Sequence, residues 1–66
     1  KRPFKVESDQ QIEYIRVLDL GGRLMFTQTE IASKFTEISL VSLQKGAYML
    51  EISINGTMQK RTVIRE

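Results

Sequence analysis

Asn55-Gly56 stands between two runs of alternating apolar and polar residues, and a chain with that pattern has little choice but to reverse there. Both central positions of a type I′ turn need φ > 0, which Asn tolerates and Gly adopts freely. A two-residue turn makes Ile54 and Thr57 the closing pair and fixes the pairs behind it. On one face Ile52 meets Gln59, Leu50 meets Arg61 and Tyr48 meets Val63. On the other, Ser53 meets Met58, Glu51 meets Lys60 and Met49 meets Thr62. Side chains alternate along a strand, so Tyr48, Leu50, Ile52 and Ile54 form one apolar row. A slip of one residue would turn that row into water, which pins the register. Glu51 and Lys60 are expected to attract across the strands, a contribution of about 0.2–1 kcal/mol.

The rest of the chain must supply a cover for that row from very little material. Sixty-six residues make one domain, which buries only about 60% of its unfolded surface. Its core typically supplies no more than ~3–5 kcal/mol. The absence of Cys excludes disulfides and thiolate metal sites, and the absence of His removes the usual general base and commonest metal ligand. An apolar fraction of 41% with 27% charged residues suits a globular domain. No run approaches the roughly 18 apolar residues of a membrane span, and no signal-peptide core is present. The net charge of +2 is scattered and reads as solvated surface.

In chain order, Lys1-Arg2-Pro3 is a lead-in segment, with Pro3 suited to an edge or a strand start. Phe4–Ser8 alternates as a short strand, Asp9–Gln11 is a polar turn, and Ile12–Asp19 is a strand rich in β-branched and aromatic residues. Ile15 and Val17 share one face of it; Tyr14, Arg16 and Leu18 share the other. Both faces are partly apolar, as in a central strand. Asp19–Arg23 is a turn in which Asp can bond the backbone two residues on and Gly21 and Gly22 supply unusual φ. Arg23–Thr29 returns as the partner strand. Glu30–Lys34 is too short for a stable helix and reads as a surface loop. Phe35–Leu40 alternates again, with Ile38 and Leu40 on one face. Val41–Leu43 crosses over and drops Leu43 into the core, and Lys45-Gly46 turns into the hairpin. About six to seven closely spaced strands, with every glycine at a turn, predict an all-β sandwich.

Two boxes within this pattern are more specific. Ile15–Leu24 reads apolar-x-apolar-x-Asp-x-x-Gly-Arg-apolar, with Asp19, Gly22 and Arg23 at its fixed positions. Leu43–Ile52 reads Leu-x-x-Gly-x-Tyr-x-apolar-x-apolar, with Leu43, Gly46 and Tyr48 fixed. Their order and separation, the hairpin after the second box and the basic-apolar run Lys60–Arg65 resemble the type A C-terminal sorting domain of the Bacteroidetes type IX secretion system. The resemblance covers nearly the whole chain. The aromatic-Pro-Asn-Pro opening usual in that family is absent apart from Pro3, and Arg65-Glu66 stands where the family commonly ends in Lys.

The resemblance implies a small antiparallel Ig-like β-sandwich over residues 1–66, forming the end of a longer secreted precursor. Its partners would be the translocon, shuttle and sortase proteins of the type IX system, and a cargo domain would precede it covalently. It would pass through the periplasm to the outer membrane and cell surface, or be secreted. It would be signal and substrate, not an enzyme, with no cofactor and no metal. The recognition residues are expected in the last strand and tail (Lys60, Arg61, Thr62, Val63, Ile64, Arg65 and Glu66), with Arg23 a further candidate.

Each residue also has a plainer reading. Turn chemistry explains Asp19, Gly22, Gly46, Asn55 and Gly56. Tyr48 reads as core, with its hydroxyl bonded at the rim. Arg23 is open: its planar fork could bind a group inside the domain or a partner. Lys60, Arg61 and Arg65 read as a solvated strand. Glu7, Glu13, Glu30, Glu37, Glu51 and Glu66 read as exposed carboxylates without the spacing of acid–base work or a metal cage. An Ig-like or fibronectin-like cell-surface module binding carbohydrate or protein is the alternative function that the fold allows. A nucleic-acid-binding barrel ranks last, because Phe4, Phe26, Phe35 and Tyr48 sit where alternation predicts burial and only Tyr14 is left to stack on bases. Unpaired sheet edges also leave room for a homodimer.

Overall fold

The computed structural model describes residues 3–29 and 31–66; the predicted roles of Lys1, Arg2 and Glu30 lie outside them. Five strands run in order: β1 (Phe4–Asp19), β2 (Leu24–Gln28), β3 (Ser33–Ile38), β4 (Gly46–Ile54) and β5 (Thr57–Arg65). They form one antiparallel sheet in the order β2-β1-β4-β5, with β3 paired to β1. This all-β architecture is consistent with an Ig-like sandwich.

The β4–β5 hairpin has the register that the Asn55-Gly56 turn dictates, pair for pair from Ile54↔Thr57 to Tyr48↔Val63. Asn55 (φ 50°) and Gly56 (φ 76°) both take the left-handed conformation of a type I′ turn. Tyr48, Leu50, Ile52 and Ile54 are all buried, so the apolar row faces the core.

The strand count is lower than the turns suggest, because Phe4–Ser8 and Ile12–Asp19 are parts of one sixteen-residue strand. The polar stretch between them survives as an irregularity rather than a reversal. β1 advances from Glu7 to Ile12 while β3 advances only from Phe35 to Ser33, so surplus β1 residues bulge out. There Ser8 Oγ accepts the Gln10 N–H at 3.0 Å, a local bond that satisfies bulged backbone.

A second irregularity changes the phase of the strand. Ile12 faces Ile54 and Tyr14 faces Ser53, so Glu13 is the extra residue of a β-bulge. Strict alternation would forbid Ile12 and Ile15 from pointing the same way. With Glu13 inserted, both are fully buried.

β2 and β3 flank β1 on the same side, since Ile12 pairs with Ser33 there and with Ile54 on the other. β2 ends at Gln28 and β3 begins at Ser33, and the two follow one another along that side of β1. β3 starts at Ser33 and ends at Ile38, earlier at both ends than alternation predicts. The predicted loop over Glu30–Lys34 therefore extends only as far as Ala32 at its C-terminal end. Ile38 and Leu40 do share the core face.

Val6, Ile38 and Leu40 join the same buried cluster as Ile15, Leu50, Ile52 and Val63. The arm formed by β3 and the first part of β1 thus lies over the apolar row of β4 and gives the sheet its second layer. Leu43 is only half-buried, packing against this cluster from a turn closed by its N–H to Leu40 O at 2.9 Å. Full burial of a side chain such as Ile52 contributes about 1.5–3 kcal/mol, so a handful of such residues carries the fold.

Candidate functional site

The two boxes, remote in sequence, become neighbours on the sheet. β1 ends with Asp19 directly opposite Tyr48 of β4. Tyr48 is in turn opposite Val63, and Gly46 is opposite Arg65. The first-box turn, the start of β4 and the end of β5 therefore share one end of the molecule. An open cleft of about 430 Å³ there is lined by Asp19, Arg23, Met25 and the stretch 42–48.

The first-box turn is held by its own residues. Asp19 N–H donates to Arg23 O at 2.9 Å, and Gly22 N–H donates to Asp19 O at 3.0 Å. Asp19 Oδ1 accepts the Arg23 N–H at 2.8 Å, so the side chain reaches four residues along rather than two. Its other oxygen lies 3.3 Å from Arg23 Nε. Of the alternatives open for Arg23, the internal carboxylate is thus realised, yet the side chain remains 77% exposed. Gly22 (φ 92°) and Gly46 (φ 150°) occupy backbone conformations that a Cβ disfavours. Tyr48 is buried and its hydroxyl donates to Gln44 O at 2.7 Å, which ties the turn before β4 to the core.

β5 is the most exposed strand of the sheet. Among the described residues it pairs with β4 alone, so its other side is a free edge. Thr57 to Thr62 and Ile64 are exposed, Arg65 is half-buried and only Val63 is buried. Even the core-facing row is exposed at Gln59 and Arg61.

Three expectations about charged groups need correction. Glu51 stands opposite Lys60 in the register but makes its ion pair elsewhere, and it is not an exposed carboxylate. It accepts the Arg16 guanidinium, with Nε at 2.9 Å, and its side chain is only 13% exposed. Arg16 sits on the central strand, where less water competes for the pair, whereas Lys60 lies on the open edge. Arg65 is not a freely solvated residue either. Its guanidinium donates to Leu40 O at 3.2 Å and Val41 O at 3.1 Å, stitching the end of β5 to the loop after β3. Glu66 contributes a carbonyl to the same guanidinium at 3.0 Å.

Sequence reasoning missed Glu13 as anything more than surface. Its Oε1 accepts Ser53 Oγ–H at 2.7 Å and Gly56 N–H at 3.2 Å. Bonds to the ionised carboxylate, Ser53 first and Gly56 second, hold its pKa below the ordinary 4.5. The usable signal was the phase break between Ile12 and Ile15, which marks position 13 as the bulge. Among aromatics, Phe35 is 43% exposed instead of buried, while Phe4, Phe26 and Tyr14 are half-buried.

Among the described residues, no group of three or more His, Cys, Asp or Glu side chains converges on a metal-sized site. No helix among them is long and apolar enough to cross a membrane. Comparison with known proteins gives one family: the model described as "Secretion system C-terminal sorting domain" matches residues 1–66. No curated protein and no solved structure matches the chain significantly. Two boxes that fold into adjacent positions and a family match along the full sequence lead to one conclusion. The chain belongs to the C-terminal sorting domain family of the type IX secretion system.

Proposed function

We propose that this domain is the signal by which the type IX outer-membrane translocon, its shuttle and its sortase recognise an attached cargo. The part they read is β5 and its tail. The observation that supports this most is the state of β5: a nine-residue strand at a free edge, with Lys60, Arg61, Thr62 and Ile64 exposed. An edge strand offers backbone donors and acceptors to a partner, and its basic side chains keep it from pairing indiscriminately. Arg23, exposed at the same end of the sheet, extends the readable surface. Val63, Arg65, Asp19, Gly22, Leu43, Gly46, Tyr48, Asn55 and Gly56 serve by holding that strand and end in shape. The domain crosses the periplasm folded, behind its cargo, and the cargo reaches the cell surface or the medium. It acts as signal and sortase substrate and carries out no catalysis of its own.

The test replaces only the side chains that make no bond within the domain. Lys60→Ser with Arg61→Ser leaves Arg65 to hold the Leu40–Val41 loop. Both versions are fused to a reporter with an export signal, in a bacterium that has the type IX machinery. The unmodified fusion is expected at the cell surface, and the altered one folded and soluble in the periplasm. Equal surface display would move recognition away from the β5 charges. Failure of the unmodified fusion to leave the periplasm would replace the sorting reading with a cell-surface binding module.

A further inference from the structure

The free edge of β5 has a chemistry that selects what can bind there. A two-residue turn makes Ile54–Thr57 a hydrogen-bonded pair, and such pairs then alternate along an antiparallel ladder. Thr57, Gln59, Arg61, Val63 and Arg65 therefore turn their backbone groups toward β4. Met58, Lys60, Thr62 and Ile64 turn theirs outward, where no strand among the described residues meets them. All four also have exposed side chains on the outer face of the sheet. Lys60 and Arg61 are adjacent, so their charges flank the edge on opposite faces. Glu51 stands opposite Lys60, but its carboxylate is held by Arg16 rather than by Lys60.

We propose that this edge takes an extended acidic segment of a partner protein as an added strand, with two consecutive carboxylate residues set one beside Lys60 and one beside Arg61. Apolar residues of the segment lie beside Met58 and Ile64 on the outer face. Charge argues against a second copy of this chain as occupant. β5 carries Lys60, Arg61 and Arg65 and no acidic residue, so two β5 edges would oppose like charges. Of the other strands paired on one side alone, β2 (Leu24–Gln28) carries no carboxylate, and β3 carries the single Glu37 between Thr36 and Ile38, not two in succession. That the segment belongs to a secretion component rests on the sorting reading above; the chemistry of the edge does not.

The probe is a short synthetic peptide of alternating Thr and Val with two adjacent Glu at its centre, titrated into the isotope-labelled chain. A control peptide carries Lys in place of Glu. The expected result is slowed amide exchange at Met58, Lys60, Thr62 and Ile64 with the acidic peptide alone, weakening as salt rises. Gln59, Arg61 and Val63, already bonded to β4, should gain no new protection. Lys60→Glu with Arg61→Glu should weaken acidic-peptide binding by about tenfold and admit the basic peptide instead. Lys60→Ser with Arg61→Ser, which introduces no new charge, should fall between and guards against misfolding of the reversed variant.

Protection at β2 instead of β5, or equal binding of both peptides, would overturn the proposal. So would an unchanged affinity in the charge-reversed variant. The two readings separate cleanly: loss of export in the Ser variant without peptide protection at β5 keeps the sorting signal and discards the acidic strand. Protection without any export defect keeps the acidic-strand surface and discards its role in sorting.

Discussion

β4 and β5 are the two halves of one hairpin, equal in length and paired residue for residue, yet they have opposite fates. β4 places Tyr48, Leu50, Ile52, Ser53 and Ile54 out of solvent, while β5 buries Val63 alone. The turn cannot explain this, because it treats both strands alike. What differs is the neighbour: β4 is flanked by β1 on its far side, and β5 by no strand among the described residues. Turn chemistry therefore decides who pairs with whom, and sheet order decides who is buried. The strand with the weaker claim to the core is the one left with its side chains in solvent.

The comparison breaks first, and hardest, at the core row. Ile52→Ala should cost about 2–5 kcal/mol, which is comparable to everything such a small domain has. Thermal or urea unfolding should find this variant largely unfolded at room temperature. Arg61→Ala, from the mirror strand of the same hairpin, should stay within about 0.5 kcal/mol. Similar losses in the two would mean that β5 is as integral to the core as β4.

The turn joining the two strands should come next. Asn55→Ala with Gly56→Ala forces two Cβ-bearing residues into φ > 0. No atom lies within 4 Å of the position a Gly56 Cβ would take, so conformational strain rather than a clash sets the cost there. A loss of more than about 1 kcal/mol in denaturant titration is expected. An unchanged midpoint would show that the turn does not set the register.

The smallest effect sharpens the contrast, because it concerns a contact that only β4 and the turn receive from β1. Glu13 accepts from Ser53 and Gly56, which lowers its folded pKa below 4.5. A depressed carboxylate pKa contributes stability above the unfolded value and loses it as pH falls through the folded one. Melting temperature should therefore drop as pH falls below 4.5, and Glu13→Gln should flatten that part of the curve. An identical acid limb in the variant would assign the acid sensitivity to other carboxylates.

Local signals made the hairpin legible to the last pair, since Asn55-Gly56 and the alternation around it act within a few residues. They also made the Asp19–Arg23 turn and the central position of Ile12–Asp19 legible. They did not distinguish a reversal at Asp9–Gln11 from a bulge, because the same polar residues serve both and a distant strand, β3, decides. Glu51 was misassigned for a related reason. Its hairpin neighbour Lys60 can be read from the register, whereas Arg16 becomes its neighbour only once β1 docks on β4, 35 residues away in sequence. Arg65 looked like solvated charge because the carbonyls that bind it belong to an irregular loop with no pattern. At the candidate site, the two boxes were visible as sequence, but their meeting at one end of the sheet was not.

The place of β1 in the sheet also sets a clock. The β4–β5 hairpin closes through contacts between near neighbours, on a scale of about 1–10 μs for such a unit. β1, by contrast, needs β4 for its central pairings, and Glu13 finds Ser53 only across 40 residues of chain. At synthesis rates of roughly 5–20 residues per second, a nascent chain holds β1 without that partner for on the order of seconds. Until β4 docks, Ile12, Ile15 and Val17 lack Ile54, Ile52 and Leu50, the residues opposite them in the finished sheet. A polypeptide interrupted before Ile54 would never close its core and would stay degradable. Formation of the β4–β5 hairpin is thus the step that lets β1 find its central partner and the core close.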